Sequence, residues 1–234
     1  MTQLLNLASD VVDTALKLGA EEAGVSISRG SHTTLTYRDG KVEQASEATT
    51  QGLGITLMVD RKSSGHSTSD LRPSAVKKFI EEAISATRWL EEDPDRAQPD
   101  PKDCGRGISQ EDLEQLDTSW ADLTPEDRNT NAKAMYDNMA TNQADDVASM
   151  AAWYADGMAE SARVMSNGFA GSNHGAWFTV GGEMTLMEGE GRRPQGAAYY
   201  AARHQADLPD LAKIAQEANE RARKKLGAGP VESG

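Results

Sequence analysis

The residues of this chain that could do chemistry are four histidines, one cysteine and a Ser-Ser-Gly-His-Ser run. His32, His66, His174 and His204 are scattered, and none is followed by Glu. A helical zinc site needs two imidazoles about one turn apart, with Glu beside the first as base, and three or four ligands that converge. The spacing supplies no such set, so each histidine reads as a surface or core residue. Ser63-Ser64-Gly65-His66-Ser67 puts hydroxyls beside an imidazole, but no Gly-x-Ser-x-Gly elbow accompanies it. Gly52-x-Gly54 and Gly189-x-Gly191 lack the third glycine and following helix of a dinucleotide fingerprint. Cys104 lies between Asp103 and Gly105 in an acidic stretch, a poor setting for a thiolate nucleophile. A single cysteine excludes an internal disulfide and suits a reducing compartment.

The bulk of the sequence narrows the classes further. At 234 residues the chain can bury a core, and its formal charge of −13 disfavours wholesale phosphate-backbone binding. The one dense basic run, Arg221-Ala222-Arg223-Lys224-Lys225, reads as a helix C-terminus set against its dipole. No run reaches the roughly 20 apolar residues of a membrane helix. The first 18 residues carry Asp10 and Asp13 on an amphipathic pattern without a basic start, so they are not a signal peptide. The expectation is a cytoplasmic protein with neither nucleic acid nor membrane as partner.

The elements follow from periodicity and punctuation. Leu4, Leu5, Ala8, Val11, Val12, Ala15 and Leu16 recur at helical spacing, with Gly19 suited to the position just past the helix end. Asp39-Gly40 between Thr34–Tyr37 and Lys41–Glu43 is a hairpin signal. Gly52–Val59 reads as a buried strand that Asp60-Arg61-Lys62 turns back. A helix opening near Pro73 places Val76, Phe79, Ile80, Ala83, Ile84 and Thr87 on one face. Prolines, glycines and charges between Glu91 and Gly107 mark a linker, the internal segment expected to be cut first by protease.

Beyond it, Ile108–Trp120 reads as short helical or irregular, and Thr124-Pro125-Glu126-Asp127 as a capped helix start. That helix turns Ala132, Met135, Tyr136 and Met139 inward. Strands are predicted over Val147–Asp156, Glu160–Met165, Ala176–Met187 and Ala197–Arg203, then a helix from Leu208 to Leu226 that stops at Gly227. Trp177 and Phe178, adjacent on one strand, must point to opposite faces, so one of them meets a groove or partner. The predicted fold class is α+β, two sheet-and-helix subdomains over residues 1–92 and 108–234 joined by a linker at 93–107.

Taken in order, Gly19-Ala20-Glu21-Glu22, Arg38-Asp39-Gly40-Lys41-Val42-Glu43, Gly52-Leu53-Gly54-Ile55 and Ser67-Thr68-Ser69-Asp70-Leu71-Arg72-Pro73 resemble the first domain of the TldD/PmbA (TldE) family. Ser166-Asn167-Gly168-Phe169 resembles a segment of the PmbA/TldE branch, where TldD-type chains carry other residues. Tyr199-Tyr200-Ala201-Ala202-Arg203 and Arg221–Ala228 resemble the last strand and helix end of the family's middle domain. Asn173-His174-Gly175, Gly181-Gly182-Glu183 and residues 104–125 depart from the family pattern.

The resemblance implies metal-dependent peptidases and their non-metal-binding partner subunits, which carry their His-Glu-x-x-x-His helix in a third domain beyond Gly234. On that footing the chain holds no active site and needs no cofactor of its own, zinc being expected only in a partner or third domain. Any peptidase activity then requires a TldD-type metal-bearing subunit or a separately supplied third domain, and the isolated chain is expected neither to bind zinc nor to cleave peptide. The implied role is substrate handling for a metallopeptidase acting on unfolded peptides in a protein complex. Asn167, Phe169, Trp177, Phe178, Tyr199, Tyr200 and Arg203 are the candidate chamber or interface lining. The competing expectation is a stand-alone interaction module with no part in proteolysis.

Overall fold

Two glycine- or aspartate-led turns organise the first half of the chain. The computed structural model describes residues 2–105 and 113–229. Asp39 and Gly40 both take positive φ, +48° and +81°, which matches the twist of a two-residue hairpin and joins β1 (Glu22–Arg38) to β2 (Lys41–Val59). Asp60 and Arg61 do the same, at +50° and +60°, between β2 and β3 (Lys62–Thr68). Helix α1 (Thr2–Lys17) precedes them and ends at Gly19, whose φ of +104° is the left-handed stop expected there. Helix α2 (Pro73–Thr87) follows, with proline in its first turn.

The second half holds α3 (Pro125–Ala140), β4 (Val147–Met165), β5 (Ala170–Leu186), β6 (Gln195–Ala202) and α4 (Leu211–Arg223), with short 3-10 turns between. Helix α3 opens on a capping box: Thr124 Oγ1 accepts from the Asp127 backbone N–H, and the Asp127 carboxylate accepts from the Thr124 N–H at 2.9 Å. Neighbouring strands run in the order β3-β2-β1-β4-β5-β6, with β2–β3 and β5–β6 antiparallel. The α+β class expected from the sequence is what the chain forms.

Several boundaries differ from those expected, among them the start of β5, at Ala170 and not Ala176, and of β6, at Gln195 and not Ala197. Val147–Asp156 and Glu160–Met165 are one strand, because Gly157 lies under the indole of Trp177 instead of ending the strand. The last helix begins at Leu211 and not Leu208: Leu208 precedes a proline and is held extended, and Asp210 caps the helix by accepting from Ala212 N–H at 2.9 Å. It ends at Arg223, three residues short of Leu226. Within the segment read as Ile108–Trp120, residues 108–112 lie outside the described residues, and Thr118–Asp122 is a 3-10 turn. Residues 106 and 107 of the expected linker are likewise outside them.

Contacts divide the chain into two compact units that alternate along it. Unit 1 is Met1–Ser31, Thr49–Glu114 and Ala159–Gly175; unit 2 is His32–Ala48, Gln115–Met158 and Ala176–Gly234. Strands β1, β2, β4 and β5 each contribute one end to each unit. In unit 1, Val25, Ile27, Leu53, Ile55 and Leu57 face α1 and α2 and close a core with Leu4, Ala8, Val11, Val76 and Ile80. In unit 2, Met150, Ala152, Tyr154, Phe178 and Val180 meet Met135 and Met139 of α3 and Ile214, Ala215 and Ala218 of α4. The inward set expected on α3 holds, with Ala132, Met135 and Met139 fully buried. No described helix is long and apolar enough to cross a membrane.

Candidate functional site

The period-2 alternation that fills the unit 1 core dictates what the opposite face of its sheet carries. The residues between the core positions are Gly24, Ser26, Gly54, Thr56, Gly65 and Ser67, and they floor a trough of about 440 Å³ with Arg163 on its side. Register places Gly54 opposite Ser67 and Thr56 opposite Gly65, so the small residues face one another across the strands. Thr56 Oγ1 donates to the Gly24 carbonyl at 3.2 Å, which ties the floor across β1 and β2. A neighbouring cavity of about 330 Å³ runs along Glu22, Met58, Ser63 and Arg163, walled by residues 95–99. The floor offers hydroxyls and backbone but hardly any side-chain bulk.

What holds that wall is the Ser166–Phe169 turn, also in unit 1. Gln98 Oε1 accepts from the Asn167 N–H at 3.0 Å and from Ser166 Oγ at 3.2 Å. Asn167 Nδ2 donates to the Pro99 carbonyl at 2.7 Å, and its Oδ1 accepts from the Phe169 N–H. Ser166 exchanges bonds with Ala23: its N–H donates to the Ala23 carbonyl, and its Oγ accepts from the Ala23 N–H. Gln98 N–H in turn donates to Glu22 Oε2 at 2.9 Å. Asn167 and Phe169, candidates from the sequence, therefore sit at the clamp of residues 95–99. Replacing Asn167 by Ala removes the bonds to Pro99 and Phe169, a loss of about 1–2 kcal/mol. Limited trypsin digestion read by mass spectrometry should then show faster cleavage after Arg96, which is exposed; unchanged cleavage would refute the clamp.

Unit 2 carries the remaining candidates on its sheet. Phe178 is fully buried in the core, whereas Trp177 is half-buried on the opposite face, the alternation expected of neighbours on a strand. Tyr199 is 65% exposed; Tyr200 donates its hydroxyl to Glu217 at 2.8 Å, and Arg203 Nη1 donates to the Ala176 carbonyl at 3.3 Å. Two indoles on this face lie against bare backbone in reciprocal fashion. A methyl at Gly157 would come 2.6–2.8 Å from the Trp177 ring, and one at Gly181 would come 2.5–2.7 Å from the Trp153 ring.

One charged cluster in unit 2 is absent from the candidates that the sequence suggests. Asp156 is fully buried; its carboxylate accepts from Arg128 Nε at 2.8 Å, from Arg128 Nη2 at 2.9 Å and from Trp120 Nε1 at 2.6 Å. Arg128 also donates to the Leu123 carbonyl, and its guanidinium lies 5.9 Å from the Trp120 ring centroid. Hydrogen bonding to Asp156 holds the guanidinium pKa above its ordinary value. Burial, with the Asp156 charge adding to it, pushes the neighbouring Tyr154 phenol upward. The signal in the sequence is an acid at a core-facing position of an apolar strand, Tyr154-Ala155-Asp156, which alternation alone would have flagged.

In unit 1, His66 shares a hydrogen bond of 2.9 Å with Ser64 Oγ, and Ser64 reaches Thr87 Oγ1, which donates to the Ala83 carbonyl at 2.7 Å. That chain of hydroxyls pins β3 to α2, and the imidazole packs edge-on against Phe79. Among the described residues, no three His, Cys, Asp or Glu side chains are grouped to hold a metal ion.

Antiparallel strands backed by helices in each of two compact units define the class, α+β. The chain belongs to the PmbA/TldD family. Residues 23–87 match the model described as PmbA/TldA metallopeptidase domain 1, and residues 118–226 match that of the PmbA/TldA metallopeptidase central domain. A crystal structure from Bacteroides thetaiotaomicron, described as a putative modulator of DNA gyrase, is similar over 98% of this chain with 31% identity and a TM-score of 0.90; the match covers 51% of that chain. A protein of the same description from Thermotoga maritima matches 98% of this chain and 50% of its own, at 16% identity and a TM-score of 0.76. TldE from Thermococcus kodakarensis matches 93% of this chain and 47% of its own, at 15% identity and a TM-score of 0.73. The chain thus spans about half the length of these solved relatives. No curated protein matches it.

Proposed function

We propose that this chain is a non-metal-binding, substrate-handling portion of a TldD/TldE-type metallopeptidase that acts on unfolded peptides in the cytoplasm, nearer the TldE branch. The observation that carries the reading is the unit 1 trough. A floor of Gly24, Ser26, Gly54, Thr56, Gly65 and Ser67 accommodates an extended backbone without selecting its side chains, and Arg163 supplies one cation for a carboxyl group. The partner in this reading is a metal-bearing TldD-type chain, or a third domain, that supplies the zinc and the base.

Mixing the chain with a TldD-type subunit tests it. The mixture should form a complex by light scattering and cleave a denatured, fluorescently labelled peptide in a chelator-sensitive manner, while the chain alone does neither. A chain that stays monomeric beside that subunit, with no gain in cleavage, overturns the proposal. That result would favour a stand-alone interaction module, the reading to which the description of two relatives as gyrase modulators lends support.

A further inference from the structure

Strand β6 ends the strand order, and its backbone alternation decides which of its groups are open. In an antiparallel pair each residue points both its N–H and its C=O either toward the partner strand or away from it. Leu186 N–H donates to the Pro194 carbonyl at 2.8 Å, so even-numbered residues turn to β5 and odd-numbered ones turn outward. Two outward carbonyls are already taken by side chains at the end of α4 and just beyond it: Ala197 accepts from Arg221 Nη1 at 2.9 Å, and Gln195 accepts from Lys225 Nζ at 2.5 Å. The outward groups of Tyr199 and Ala201, both exposed, have no bond among the described residues. Half of this edge is guarded and half is a template for one more strand.

Charge then fixes the direction of that strand. Arg221 is paired with Glu217 at 2.6 Å, whereas Lys225 has no carboxylate partner among the described residues. Both cations stand at the N-terminal end of β6. A strand laid antiparallel brings its C-terminus there; a parallel one would bring an ammonium group against them.

We infer that the outward edge of β6 binds the C-terminal end of an extended peptide, antiparallel to the strand, with its carboxylate against Lys225. Tyr199 and Ala201 supply up to four main-chain bonds, and Gln195, whose outward carbonyl Lys225 already covers, stops the peptide at its last residue. The inference rests on the peptide-handling reading and adds to it a defined edge, a direction and a chain terminus.

The test uses the chain alone with the acetylated peptide Glu-Thr-Val-Thr-Val-Thr bearing a free carboxylate, followed by amide NMR shifts and anisotropy. Shifts should centre on Tyr199 and Ala201. The C-terminal amide of the same peptide, or the Lys225→Gln variant, should weaken binding on the order of tenfold or more, the loss of a charge-assisted contact. Methylating alternate peptide nitrogens should abolish binding in one of the two registers. Ala201→Pro should abolish it too while leaving the fold intact, since the outward N–H makes no ladder bond. Lys225→Gln decides the question if the proline variant fails to fold. Equal affinity for acid and amide, binding indifferent to both methylation registers, or no binding at all overturns the inference. If any of these occurs while the mixture with the TldD-type subunit still cleaves peptide, only the edge assignment falls. Edge-dependent binding without cleavage in the mixture removes the peptidase reading alone.

Discussion

Replacing Asp156 by Ala should cost about 3–5 kcal/mol of stability, a large share of the roughly 5–15 kcal/mol that holds a typical domain. The carboxylate is fully buried and accepts three bonds, two from Arg128 and one from Trp120. Its removal leaves a guanidinium, itself 12% exposed, and an indole N–H without their acceptor. The cost comes from the stranded charge more than from the lost attraction, so Asp156→Leu combined with Arg128→Met should recover much of it. Raising salt should change little, because a buried pair is weakly screened. Urea unfolding followed by tryptophan fluorescence gives the comparison. A single Asp156→Ala variant as stable as the parent, or a double variant worse than the single, would contradict this account.

Gly196→Ala should destabilise by about 3 kcal/mol or more, the upper end of what one added methyl does in a packed core. Gly196 faces α4, and its new methyl would lie 2.6 Å from the Arg221 carbonyl carbon and 2.7 Å from the Ala222 Cα, closer still to the Ala222 nitrogen. These are backbone atoms, so no rotamer change relieves them. The helix approaches this closely because Ala215, Ala218 and Ala222 are the residues it lays on the sheet. Gly189→Ala, which meets nothing within 4 Å, is the matched control and should be nearly neutral. The difference in denaturation midpoints between the two variants checks the prediction, and equal midpoints would refute it.

The ease of reading this fold from sequence varies with how local each signal is. Asp39-Gly40 and the Thr124–Asp127 box announce themselves because the turn and the cap are made by the same few residues that encode them. The apolar faces of α1 and α2 are legible for the same reason. The continuity of β4 is not, since whether Gly157 breaks a strand depends on Trp177, a residue twenty positions away that covers it. The role of Asn167 is hidden likewise: its partners Gln98 and Pro99 lie some seventy residues earlier, in a segment whose composition says only linker. Asp156 stands in plain view on an apolar strand, but its partners Arg128 and Trp120 come from a stretch with little periodicity. Long-range pairing leaves no short-range mark.

The close approach of Trp177 to Gly157 and of Trp153 to Gly181 has a magnetic consequence. Protons held close beside an indole are shifted by its circulating π electrons, and a glycine presents two α protons with nothing in between. Those of Gly157 and Gly181 should therefore resonate away from ordinary glycines, unlike each other within each pair. They would form a resolved corner of the proton spectrum that collapses when unit 2 unfolds, giving it a built-in reporter without any label.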